Sequence, residues 1–164
     1  MADFKTKQQG RASPYLRVPP QNIDSEKALL GSVMLRPDAL TDVIDIIVPE
    51  AFYAEKHRII WQAMMDLFTK NDPIDLLSLS ARLKEKNQLE QIGGAGYLTD
   101  LVNLVPSAAN IRHYAEIVHR KFMMRRLIEA AEEINDLGYE ESEQLDELLE
   151  RAEHRLYELT SHGG

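Results

Sequence analysis

IRHYAEIVHRKFMMRRLIEAAEEINDLGYEESEQLDELLERAEHRLYELTSH, residues 111–162, decides the fold. Ser107 or Asn110 opens a long periodic helix that runs to Leu137, and Gly138 stands where a C-cap glycine belongs. After a short acidic connection, Ser142 is placed to cap a second helix. Its apolar residues Leu145, Leu149, Ala152, Leu156 and Leu159 alternate spacings of four and three, a heptad seam. Met124, Leu127, Ala131 and Ile134 make a matching seam in the first helix. Two long seamed helices joined by a short connection predict an antiparallel αα-hairpin.

Upstream the segments are shorter. Asn22 is a good N-cap for a helix carrying Leu29, Leu30, Val33 and Met34, which ends at Arg36-Pro37. Pro37 suits the first turn of a helix with Leu40, Val43, Ile44 and Ile47 on one face, and a Pro49–Phe52 turn follows. From Glu55 to about Asn71, Ile59, Ile60, Ala63, Met64 and Leu67 form a broad apolar helical face, widened by Trp61 and Phe68. Asp75 caps a helix through Lys86, with Ile74 and Leu79 at the staple positions. Gly93-Gly94 precedes a short helix containing Tyr97, Leu98, Leu101, Val102 and Leu104, and Pro106 closes it. No segment shows sustained strand alternation. The chain reads as all-α: a compact head of short helices, then a long antiparallel two-helix hairpin. Residues 1–21 read as a disordered basic tail, 22–106 as the helical globular head and 107–162 as the hairpin.

The 164 residues suffice for one sizeable core, and the 44% hydrophobic content is too high for a disordered chain. No cysteine is present, which excludes a disulfide scaffold and thiolate zinc. No apolar run reaches the length of a membrane span, and the N-terminus lacks a signal-peptide core, so the expected location is cytoplasmic with no membrane partner. The net charge of −8 hides a pattern. Residues 1–126 hold 17 cations and 15 acids, whereas residues 127–164 hold two cations and 12 acids. All the excess acidity lies in the last 38 residues.

Chemistry finds little foothold. Gly93-Gly94-Ala95-Gly96 lacks a preceding strand and a following lysine, so it is neither a dinucleotide fingerprint nor a Walker loop. It reads as a helix–helix turn. Glu116 and His119 have the spacing of a di-iron ligand pair, but the second copy is missing because Arg151 precedes His154 by three residues. There is no G-x-S-x-G elbow and no H-E-x-x-H. No catalytic, cofactor-binding or metal residue is assigned, and the chain reads as non-catalytic.

Arg112, Arg120, Lys121, Arg125 and Arg126 are the best nucleic-acid candidates, with only Tyr114 and Phe122 as interleaved aromatics. A partner within the chain is nearer. If the hairpin turns at 140–141, Arg120, Lys121 and Arg125 face Glu153 and Glu158. The apolar pairs Met123-Met124 and Leu148-Leu149 cannot both be buried by one seam, which leaves a face for self-association or for a partner's helices.

Pro19-Pro20, Ser25-Glu26, Leu29-Leu30-Gly31, Phe52-Tyr53, His57-Arg58 with Ile60, Pro73-Ile74-Asp75, Gly93-Gly94 with Tyr97-Leu98, and Pro106 to Ile111 with Tyr114-Ala115 and Ile117-Val118 occur in order. In content and spacing, from about residue 19 to 160, the chain resembles the N-terminal domain of the bacterial replicative DNA helicases of DnaB type. The resemblance implies a collar on a hexameric ring, a trimer of dimers in which hairpins of neighbouring subunits pair and a DnaG-type primase docks. A helicase loader is a further implied partner. In the family a linker and a RecA-like domain follow, which bind ATP and Mg, contact DNA and drive 5′→3′ unwinding. This chain stops at Gly164 before such a domain, so those activities are not assigned to it.

Combining the resemblance with the apolar pattern gives Tyr97, Ile128, Ile134, Leu137, Leu148 and Leu149 as the candidate protein-interaction residues. Each reads equally as an ordinary residue of the hairpin seam. The alternative function is a stand-alone helical adaptor that binds a helicase or primase without belonging to a ring. A Walker loop encoded downstream distinguishes the two.

Overall fold

The computed structural model describes residues 17–162; the first sixteen residues of the expected tail lie outside the described residues. Six α-helices follow one another: α1 (Ile23–Leu35), α2 (Glu55–Thr69), α3 (Leu76–Glu85), α4 (Gly94–Leu104), α5 (Ile111–Leu137) and α6 (Leu145–His162). No strand occurs among the described residues. The all-α expectation holds.

Local signals set most helix ends. The Asn22 side chain accepts from the Ser25 amide at 3.0 Å, and Asp75 accepts from that of Ser78 at 2.8 Å. α2 and α3 end alike. Asn71 and Asn87 adopt positive φ (58° and 56°), so the next amide, of Asp72 or Gln88, turns back to the carbonyl of Leu67 or Leu83. Asparagine tolerates this left-handed geometry better than other side chains, which makes each junction a closed Schellman turn. Gly93 (φ 106°) and Gly94 (φ 76°) take the same role before α4.

Some expected ends differ. Pro37–Asp42 is a 3₁₀ helix followed by turns, not an α-helix, although Leu40, Val43 and Ile47 still reach the core. Gly138 has φ −64°, a right-handed conformation, so its backbone does not require glycine. α6 begins at Leu145, three residues after Ser142, which therefore does not cap it.

α1 is the hub of the head, with nine of its 13 residues buried. It packs on α4, α5 and α2. Its contact with α4 depends on Gly31: a Cβ there would stand 2.1 Å from the Leu101 carbonyl oxygen. α2 and α3 are joined by Asp66, whose carboxylate accepts from Arg82 at 2.9 Å and from Lys86 at 3.4 Å. The head's core runs past residue 106 into α5, where Ile111, Ala115 and Val118 are buried among the head residues. Beyond Val118, α5 leaves the head and α6 returns along it.

Candidate protein-interaction surface

Where α5 leaves the head, Arg125 fastens it. Its guanidinium donates to the Pro20 carbonyl at 2.7 Å and to the Ala51 carbonyl at 2.8 Å, tying α5 to the N-terminal segment and to the short turn before α2. Its charge lies 5.6 Å from the Tyr53 ring centroid and 6.0 Å from that of Phe122. Burial pulls its pKa below the usual arginine value, while the nearby Glu26 carboxylate acts against that shift. Arginine keeps its charge throughout, so the fastening persists at any physiological pH.

This differs from the pairing expected across the hairpin. Arg125 faces the head, and no ion pair joins Arg120 or Lys121 to Glu153 or Glu158 among the described residues. Glu158 instead pairs with His154 at 2.8 Å. The ion pair that crosses the hairpin runs the other way, from Arg155 on α6 to Glu133 on α5.

The hairpin's seam is also displaced from the expected heptad. On α6 the residues turned toward α5 are Leu148, Ala152, Arg155 and Leu159, of which Leu159 is fully buried and the others half-buried. On α5 they are Ala130, Ile134 and Leu137, rather than Leu127 and Ala131. Of the expected seam only Leu159 is buried, with Met124, Ile134 and Ala152 half-buried. Leu145, Leu149 and Leu156 are 68%, 53% and 45% exposed, and Leu127 is 53% exposed. All four are rotated from the seam in the same sense, which on antiparallel right-handed helices brings them to one side of the pair. The hairpin therefore carries an apolar band too wide for its own closure, with the outer half facing water.

Five of the six sequence candidates divide three ways. Ile134, Leu137 and Leu148 are half-buried in the seam; Leu149 lies in the outer leucine row; Ile128, 45% exposed, faces away from α6. Tyr97 is not among them, because its contacts are with the head. Its hydroxyl is 2.5 Å from His57 Nε2, and Lys56 Nζ stands 4.1 Å from its ring centroid. Burial, with the charges of Glu26 and Asp100, pushes its pKa up to about 12. Leu127, Leu145 and Leu156 were legible only as seam, and nothing local in the sequence marked the Arg125 fastening.

Behind Tyr97 lies a buried polar chain. The Glu26 carboxylate, 2% exposed, accepts from the amides of Tyr53 (2.8 Å) and Ala54 (3.3 Å) and from His57 Nδ1 (2.8 Å). A neutral imidazole with its proton on Nδ1 accepts at Nε2, so the Tyr97 hydroxyl donates there. The three groups link α1, α2 and α4. The chain of bonds joins the three helices through buried polar groups.

The glycine turn offers no nucleotide cradle. The amides of Gly93 and Gly94 are already donated to Glu90 and Leu89 carbonyls, which leaves none of them for a phosphate. No group of three or more metal-ligating side chains occurs among the described residues, Glu116 and His119 included. None of the described helices is long and apolar enough to cross a membrane.

Known proteins place this architecture. The family described as the DnaB-like helicase N terminal domain matches residues 18–120, the head and the base of α5. The chain belongs to this family. It is 42% identical over 143 residues to the replicative DNA helicase DnaC of Bacillus subtilis, a match covering 87% of this chain and 32% of that protein. Identity is also 42%, over 144 residues, to the replicative DNA helicase DnaB of Geobacillus stearothermophilus, covering 88% and 32%. The chain thus spans about a third of the length of these curated relatives. The crystal structure of the N-terminal domain of DnaB helicase from Mycobacterium tuberculosis superposes with a TM-score of 0.81 at 36% identity, over 87% of this chain and 99% of that one. A DnaB-like replicative helicase studied with its interactions with primase superposes with a TM-score of 0.71 at 30% identity, over 84% and 31%.

Proposed function

We propose that this chain is the oligomerisation and primase-docking collar of a replicative DNA helicase, non-catalytic in its own right. ATP-dependent 5′→3′ unwinding, with Mg, belongs to a RecA-like domain of the full-length protein, as do most DNA contacts. The supporting observation is the outer row Leu127, Leu145, Leu149 and Leu156, exposed side by side on one face of a hairpin that stands off its head. Fully burying a leucine is worth about 1.5–3 kcal/mol, and these side chains, each about half exposed, keep roughly half of that gain for a second hairpin laid on the row. Leu149 acts in this row. Ile128, on the face of α5 turned away from α6, is assigned to primase docking. Ile134, Leu137 and Leu148 support both surfaces by holding the hairpin closed, and Tyr97 acts through the head network behind it. The hexamer as a trimer of dimers, and a helicase loader as a further partner, extend the same proposal to the full-length protein.

The test is sedimentation velocity over a range of concentrations, for the parent chain and Leu149→Glu. Association of the parent, shifted by the substitution toward the 18.7 kDa monomer, is the expected result. A parent chain monomeric at high concentration rejects the oligomerisation reading. Titration of a primase C-terminal domain against the parent and Ile128→Glu tests docking; equal affinities remove Ile128 from that site.

A further inference from the structure

Residues 51–54 form a strap that leads into α2 in extended backbone, with Phe52 at φ −81°, ψ 134° and Ala54 at φ −75°, ψ 126°. Two successive peptide groups of this strap meet a charge on each edge. In the first, the Phe52 carbonyl accepts from Arg58 Nε at 2.7 Å, while the Tyr53 amide donates to Glu26 at 2.8 Å. In the second, the Tyr53 carbonyl accepts from Arg58 Nη2 and the Ala54 amide donates to Glu26, both at 3.3 Å. The C=O and N–H of a trans peptide point opposite ways, so the guanidinium and the carboxylate stand on opposite edges and polarise the strap in the same sense. Glu26 and Arg58 are thus paired through backbone, without meeting.

The strap has two further attachments. On one side the Ala51 carbonyl accepts from Arg125 of α5, whose guanidinium also holds the Pro20 carbonyl. On the other, Glu26 continues through His57 to the hydroxyl of Tyr97, which is half-buried on α4. A continuous run of bonds therefore leads from Tyr97 to α5, with the strap in its middle. Between the 3₁₀ turn and α2 the strap belongs to no helix, so these side chains fix its course.

We propose that residues 51–54 are a joint that sets the attitude of the hairpin on the head, with Arg58 and Tyr97 as positioning residues that act on α5 through the strap. A change at Tyr97 on the head then reaches the hairpin tip as a change in how firmly Arg125 holds. This deepens the part given above to Tyr97 and needs no bound partner. The role of Arg58 has a diagnostic sign. Its charge pushes against that of Arg125, so a direct effect through space would let Arg125 settle more firmly once Arg58 is gone. Acting through the strap, the same loss frees the Phe52 and Tyr53 carbonyls and loosens the hold on Ala51.

Lys84 on α3 and Asn135 on α5 are exposed, and the chain has no cysteine, so Lys84→Cys and Asn135→Cys take nitroxide labels. Their separation is measured by pulsed dipolar spectroscopy, each labelled chain diluted in its own unlabelled form. The expected result is a narrow distance component in the parent that is lost in Arg125→Gln. It is lost also in Arg58→Gln and Tyr97→Phe, whose own bonds are to the strap and to His57. Leu67→Ala removes a buried side chain at the far end of α2 and should keep the component. A narrow component that survives any of the first three substitutions overturns the proposal. So does its loss in Leu67→Ala, which makes the loosening general, and so does a broad distribution in the parent. No primase is present, so the outcome is independent of whether primase docks at Ile128.

Discussion

Glu26 and His57, 31 residues apart, meet inside the head with 2.8 Å between a carboxylate oxygen and Nδ1, both almost wholly removed from solvent. The same carboxylate holds the amides that lead into α2. Glu26→Ala leaves those donors and the imidazole without a partner in a site that water does not reach. Breaking one side of such a buried pair costs about 3–5 kcal/mol, and urea unfolding should show a loss of that order. Glu26→Gln, which keeps an acceptor oxygen, should lose less.

Tyr97 titrates late because its hydroxyl is buried beside Glu26. Its folded pKa, about 12, lies above the ordinary tyrosine value of 10.0. The stabilisation is therefore fully present below pH 10 and is lost as pH rises toward 12. Ultraviolet titration should show one of the six tyrosines ionising after the others, and Tyr97→Phe should remove that step. The alkaline loss of stability should be shallower in the variant.

Gly31→Ala tests the close approach of α1 to α4 in the head. A methyl group 2.1 Å from the Leu101 oxygen cannot be accommodated without moving α1 from α4, because the obstacle is backbone. Overpacking of this kind costs about 1–3 kcal/mol, against the stabilisation alanine normally brings to a helix interior. A lower urea midpoint with an unchanged slope is expected.

Leu148 and Leu149 are neighbours with opposite duties. Leu148→Ala removes a half-buried seam residue and should lower thermal stability even in dilute solution. Leu149→Ala touches a side chain 53% exposed and should leave the dilute chain's melting nearly unchanged while weakening self-association. Calorimetry and sedimentation on the two variants separate these effects; identical behaviour would merge the two faces of the hairpin into one.

Much of the architecture was legible because it is written in short-range chemistry. Asn22 and Asp75 act on amides three residues ahead, and Asp72-Pro73 and Gly93-Gly94 interrupt helices whatever surrounds them. Even so, Pro37–Asp42 became 3₁₀, since a short segment bends to suit the core that its Leu40 must reach. The exposed apolar face of the hairpin was legible in kind and not in detail. A surplus of apolar residues over one seam was visible from Leu148-Leu149 alone, but the residues taken for the seam were largely those that face out.

The order of the long helices and the hairpin itself follow from local periodicity and capping, which involve residues a few positions apart. Which side of the apolar band closes the hairpin follows from the packing of α6 on α5, where a rotation of about 100°, one residue's step, exchanges Leu145, Leu149 and Leu156 for Leu148, Arg155 and Leu159. The same holds for Arg125, drawn to the carbonyls of Pro20 and Ala51 rather than to the acids of the second limb, and for Glu26 meeting His57. These partners are chosen by which elements the fold makes adjacent, and burial then makes the choice costly to undo.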